Sequence, residues 1–82
     1  MKGKIMKLYC ARIEEVEHLS KDNTYTNIVY IGDSLDMAVE RCSSYVCVGT
    51  LYEVESKTID VWEDSEWLIT LDGNGEEFDY EN

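Results

Sequence analysis

Apolar and polar residues alternate differently in successive parts of the chain, and the changes of period mark out the elements. Residues 4–16 carry Ile5, Met6, Leu8, Tyr9, Cys10, Ala11, Ile13 and Val16. Apolar side chains fall on both faces of this stretch, as expected for a strand in the middle of a sheet. Ser20-Lys21-Asp22-Asn23 is a cluster of turn formers. Residues 24–31 (Thr-Tyr-Thr-Asn-Ile-Val-Tyr-Ile) are β-branched or aromatic and predict a second strand, paired with the first as an antiparallel hairpin. Gly32-Asp33-Ser34 breaks the strand, and Asp33 or Ser34 can accept a hydrogen bond from an orphan amide at a helix start. Leu35, Ala38, Val39, Cys42, Tyr45 and Val46 then recur at helical spacing, which predicts a helix over residues 34–45. Asp36 falls near its positively polarised end.

The remainder is sheet again. Residues 48–55 and 58–62 predict short strands, and Trp67-Leu68-Ile69-Thr70-Leu71 a further one. Asp72-Gly73-Asn74-Gly75 supplies the residues that tolerate positive φ in a tight turn. Residues 76–80 are expected to return as an edge strand. The predicted architecture is α+β: an antiparallel sheet of about five strands in the order β-β-α-β-β-β, with one helix on one face. At 82 residues, without a proline-rich linker or an internal repeat, residues 1–82 form a single domain.

Hydrophobic content of 44% is too high for a disordered acidic tail. The apolar runs are far shorter than the ~20 residues a membrane helix needs. The first seven residues do not have the build of a signal peptide, so a cytoplasmic location is expected. Three cysteines, Cys10, Cys42 and Cys47, fit no disulfide framework. Their spacing from each other and from His18 matches no common zinc pattern, so they are expected to be small, reduced, buried side chains. Asp72-Gly73-Asn74-Gly75-Glu76 begins like a calcium loop but lacks its sixth-position glycine. No nucleophile motif or phosphate-binding glycine loop is present. Neither an enzyme nor a bound cofactor or metal is expected.

Charge changes this picture most. The 18 acidic and 7 basic residues give a net charge of -11. Residues 1–50 hold 7 acidic and 6 basic residues, for a net of -1; residues 51–82 hold 11 acidic residues and Lys57, for a net of -10. Direct binding to nucleic acid is disfavoured, since phosphates repel carboxylates. Residues two apart on a strand share a face and lie ~6.6 Å apart. Glu53 with Glu55, and Glu77 with Asp79, are therefore expected to pair on an outer face, while Tyr52, Val54, Phe78 and Tyr80 turn inward. Asp60 alternates with Ile59 and Val61. Glu63-Asp64-Ser65-Glu66 makes an acidic loop between Trp62 and Trp67. Trp62 is the candidate interface anchor, whereas Trp67, in a strongly apolar strand, is expected beneath the helix. Like charges on neighbouring strands are costly. One explanation is solubility and the guarding of sheet edges. The other is a lattice of carboxylates, from Glu53, Glu55, Asp60, Glu63, Asp64, Glu66, Glu76, Glu77 and Asp79, that imitates the phosphates of a nucleic acid.

In size, compactness and localised negative charge the chain resembles the small acidic inhibitor proteins of bacteriophages: anti-CRISPR proteins and anti-restriction DNA mimics. Two stretches, Ile31-Gly32-Asp33-Ser34-Leu35 and Trp67 through Glu76, are also similar to the phage uracil-DNA glycosylase inhibitor. That family begins with a helix where this chain begins with a strand, and no residue role is carried over from it. The resemblance implies a stoichiometric, cofactor-free inhibitor of a basic nucleic-acid-binding host protein, such as a CRISPR effector or similar nuclease. The alternatives are a glycosylase inhibitor, or a small interaction module, monomeric or homodimeric through its edge strands, whose charge serves solubility.

Overall fold

A computed structural model describes residues 6–47 and 49–78. Among them run β1 (Lys7–Glu17), β2 (Thr24–Gly32), α1 (Leu35–Ser44), β3 (Tyr52–Glu63) and β4 (Glu66–Asp72). The four strands form one antiparallel sheet in the order β2-β1-β3-β4. The α+β class is therefore as the sequence predicts, with β1 in the interior of the sheet.

The strand count differs from the expected five. Residues 48–55 and 58–62 do not make two strands: β3 continues through Ser56 and Lys57, paired with Glu14 and Ile13. The polar residues resemble a break in the sequence, but β1 supplies hydrogen-bonding partners for the whole length. The surplus residue is absorbed by a bulge, where Glu14 faces Ser56 and Glu15 faces Val54, leaving Glu55 unopposed. Of the expected last strand, the described part makes a single bridge, Leu71 to Glu77; Asp79 and Tyr80 lie outside the described residues.

α1 follows β2 after two residues. The Ser34 hydroxyl caps it by accepting from the Met37 amide at 3.1 Å, and the Ser34 amide donates to the Tyr30 hydroxyl. Tyr30 reaches that position by folding back over Gly32, where a Cβ would lie 2.4 Å from its hydroxyl. The helix lies over β1 and β2 and reaches β3. Ala38 and Cys42 insert from the helix into a core made by Ala11 and Ile13 of β1, Ile59 and Val61 of β3, and Leu71 of β4. Burying these side chains contributes roughly 1.5–3 kcal/mol for each large aliphatic group. All three cysteines are free thiols; Cys42 is buried as expected, while Cys10 and Cys47 are only half-buried. Among the described residues no helix is long and apolar enough to cross a membrane.

One polar group sits in this interior. Glu15, on the helix side at the β1–β2 hairpin end, is 1% exposed. The Tyr45 hydroxyl, just past α1, donates to its carboxylate, and Tyr25 and Cys47 also hydrogen-bond to it. Burial alone would raise the Glu15 carboxyl; these donors outweigh it and hold the group below its ordinary range.

Candidate functional site

The densest part of the acidic sequence is the β3–β4 turn. Asp64 and Ser65 both take positive φ, 52° and 72°, which closes the strands with a two-residue loop matched to the sheet twist. This turn sets Glu63 opposite Glu66 and Trp62 opposite Trp67. A second contact ties the turn to the start of β1. The Asp64 amide donates to the Met6 carbonyl at 2.8 Å, and the Met6 amide donates to Asp64 Oδ1 at 3.0 Å. Between them lies an open cleft of about 410 Å³ lined by Met6, Leu8, Trp62, Asp64 and Ser65.

Met6, Leu8, Trp62, Trp67 and Leu68 are all exposed here. Of the turn's carboxylates Asp64 alone lines this cleft, since Glu63 and Glu66 neighbour Trp62 and Trp67 along their strands and so point to the opposite face. An apolar patch with a carboxylate beside it suits a protein partner that brings cations and aliphatic surface together. A guanidinium or ammonium group can lie on an indole face while a neighbouring carboxylate takes its hydrogen bonds. On the opposite face Lys7 of β1 is the register partner of Glu63, so the turn's excess charge is reduced but not cancelled.

The placement of Trp67 corrects the sequence expectation. It is 54% exposed rather than packed beneath the helix, because the bulge at Val61 and Trp62 shifts the β4 phase and turns it beside Trp62. The spacing held the signal: a two-residue loop between residues 63 and 66 necessarily faces residue 62 with residue 67.

The other expected carboxylates do not join this group. Asp60 is in the middle of β3 on the face away from the helix, committed to the sheet itself. It accepts from the Thr70 hydroxyl at 2.5 Å and pairs with Arg12 Nε at 2.9 Å. The polar contacts extend in both directions. Trp67 Nε1 donates to Thr70 Oγ1, Arg12 also reaches Glu14 at 3.2 Å, and Thr26 Oγ1 donates to Glu14. The result is a polar line across all four strands.

Glu53 stands at the opposite end of β3. Lys21 Nζ lies 2.9 Å and His18 Nδ1 3.5 Å from its carboxylate. The hydrogen bond from Lys21 and its charge, with a smaller contribution from His18, hold that carboxyl below its ordinary range. Glu55 is exposed at the nearby bulge. Glu76 and Glu77 follow the turn after β4, where Asp72 Oδ1 accepts from the Asn74 and Glu76 amides at 2.9 and 3.0 Å. Gly75 in that turn packs against Val39 and Leu35 of α1, which places these acids on the helix side. Asp79 lies outside the described residues. The described carboxylates thus divide between the two ends of β3, its middle and the helix side. Glu63, Asp64 and Glu66 share the β3–β4 turn that also carries the exposed tryptophans, with Asp64 beside Trp62 in the cleft and Glu63 and Glu66 on the other face. Among the described residues no three His, Cys, Asp or Glu side chains converge so as to hold a metal ion.

Compared with protein-family models, curated proteins and solved structures, the chain matches none.

Proposed function

We propose that this chain is a stoichiometric inhibitor of the small acidic phage type, acting in the bacterial cytoplasm and docking on a basic, nucleic-acid-handling host protein such as a CRISPR effector. The observation that supports this reading is the coincidence at the β3–β4 turn of three carboxylates with two exposed tryptophans. Residues 51–82, which include this turn, have a net charge of -10. Opposite charge steers association and makes it salt-sensitive, while buried aromatic anchors supply most of the affinity. The partner surface is one that otherwise takes phosphates, and the chain itself acts without a cofactor or a chemical step.

The test is competition. Effectors with basic grooves are loaded with labelled DNA or guide RNA at low and physiological salt, and the protein is titrated in. Displacement in a gel shift, weakened by Glu63→Gln with Glu66→Gln and by Trp67→Ala, is the expected result. Undisturbed nucleic-acid binding and cleavage across the panel at low salt sinks the proposal.

A second reading, an interaction module with charge for solubility, draws on the pairing of Glu53 with Lys21 and of Asp60 with Arg12. On that reading the Glu63→Gln and Glu66→Gln changes lower solubility and leave every binding measurement unmoved.

A further inference from the structure

The two edges of the sheet are built differently. β4 opens with Glu66 and closes with Asp72, and the chain returns across it at the Leu71–Glu77 bridge. β2 has the sequence Thr-Tyr-Thr-Asn-Ile-Val-Tyr-Ile-Gly, nine residues without a charge or a proline. An unguarded edge presents a row of N–H and C=O groups to any strand that fits, and natural sheets usually block it with charge, proline or a covering segment. The protection on β2 is local. A bulge leaves Val29 unopposed by β1, and the Val29 carbonyl accepts from Arg41 Nη1 at 3.4 Å. Before the bulge, Thr24 to Ile28 pair regularly with Val16 to Arg12. Among the described residues no strand pairs with their outer edge.

We propose that a second copy of the chain adds here, β2 antiparallel to β2 about a two-fold axis, to make one continuous eight-stranded sheet. An identical strand is self-complementary in that arrangement. Tyr25, Ile28 and Ile31 are exposed along β2, and aromatic and β-branched residues form the favourable cross-strand pairs. Charge also points to a second copy. From Thr24 to Ile28 the strand itself contributes no cation or anion with which to select a charged foreign strand, the nearby Arg41 being engaged at Val29. Six of the described carboxylates after residue 50 lie on β3 and β4, which β1 separates from β2. Three strand spacings, roughly 14 Å, separate β2 from β4, more than the ~8 Å screening length at physiological salt. The charges nearest the edge are partly paired: Glu14 with Arg12 on β1, and Lys21 with Glu53 near the hairpin. Because the described residues of each copy leave one edge unguarded, pairing consumes it and the assembly closes at two.

The inference stands apart from the docking function, and salt separates them: a dimer of like-charged copies tightens as salt rises, whereas docking on a basic partner weakens. Sedimentation equilibrium of the full chain from about 1 to about 300 µM is expected to show a doubling of mass, at lower concentration in higher salt. Amide exchange of Thr24 to Ile28 is expected to slow as concentration rises. Ile28→Lys places a charge on the pairing edge and beside Arg12; it is expected to raise the dimer dissociation constant about tenfold or more. Ile28 is 46% exposed, so the variant should keep its circular dichroism spectrum; Ile31→Lys, at a 66% exposed site, provides the same test independently. A wild-type chain that stays monomeric throughout overturns the proposal. So does a dimer indifferent to both substitutions but dissolved by Leu68→Lys on the other edge.

Discussion

Arg12 on β1 and Asp60 on β3 are joined at 2.9 Å across the sheet face that the helix leaves open. Asp60 therefore belongs to the fold more than to any partner surface. Its side chain is 15% exposed, and removing the guanidinium strands a partly desolvated carboxylate. Arg12→Ala is expected to cost about 1–3 kcal/mol in urea unfolding. Asp60→Asn, which retains an acceptor for Thr70, is expected to cost less than Asp60→Ala. Equal losses for the two Asp60 variants would show that the hydrogen bond from Thr70 contributes nothing.

The β3–β4 turn asks two non-glycine residues to adopt left-handed backbone, Asp64 at φ 52° and Ser65 at φ 72°. Ser65→Gly removes the steric cost at one of them and is expected to raise stability by about 0.5–1 kcal/mol. The Asp64 contacts with Met6 do not involve the Ser65 side chain, so the tie to β1 should survive, and docking should change only by what the cleft-lining Ser65 hydroxyl contributes. A thermal shift measured beside a binding titration checks both statements.

Gly75 requires the opposite expectation. It has φ 83°, and a Cβ there would lie 2.9 Å from Val39 Cγ2. Gly75→Ala combines backbone strain with overpacking against α1 and is expected to destabilise by about 1–3 kcal/mol. A loss of helix signal at lower denaturant concentration than in the wild type is the readout.

The buried Glu15 cluster makes stability depend on pH from both sides. The folded-state pKa of Glu15 is depressed from an ordinary 4.5, so its contribution is full above that value and disappears as pH falls through the folded-state value. Tyr25, hydrogen-bonded to Glu15 and then desolvated, is pushed up from 10.0 to about 12. The neutral phenol is favoured by folding, so its contribution is full below pH 10.0 and is lost as pH rises through about 12. Thermal midpoints should form a plateau between these limits. Glu15→Gln should flatten the acid limb, and Glu15→Ala, which leaves the Tyr45 hydroxyl without its buried acceptor, should lower stability by about 2–3 kcal/mol at neutral pH. An acid limb that persists in Glu15→Gln would assign it to other carboxylates.

Local pattern carries much of this fold. The β-branched run of residues 24–31, the cap at Ser34 and the apolar spacing from Leu35 to Cys42 each depend on neighbours within a turn or two, and β2 and α1 lie within a residue of their expected limits. What sequence could not supply was cross-strand register. Ser56 and Lys57 read as a break until β1 provides their partners. Glu15 follows Glu14 as though both faced water, yet alternation along β1 puts Glu14 on the open face against Arg12 and Glu15 on the helix side among Tyr25 and Tyr45. The carboxylates were countable, but their companions were not. His18 and Lys21 at Glu53, Arg12 at Asp60 and Trp67 beside Trp62 are set by strands brought together from distant parts of the chain.

The length of β3 has an electrical consequence. Glu53 and Glu63 are ten positions apart on it, roughly 30 Å along an extended strand. At physiological ionic strength mobile ions damp a surface potential within ~8 Å. The hairpin end and the turn end therefore recruit counterions and respond to neighbours as separate bodies, and neutralising one does not quieten the other. Only in dilute buffer, where the damping distance grows to ~30 Å at 0.01 M, do the two extremities sense each other.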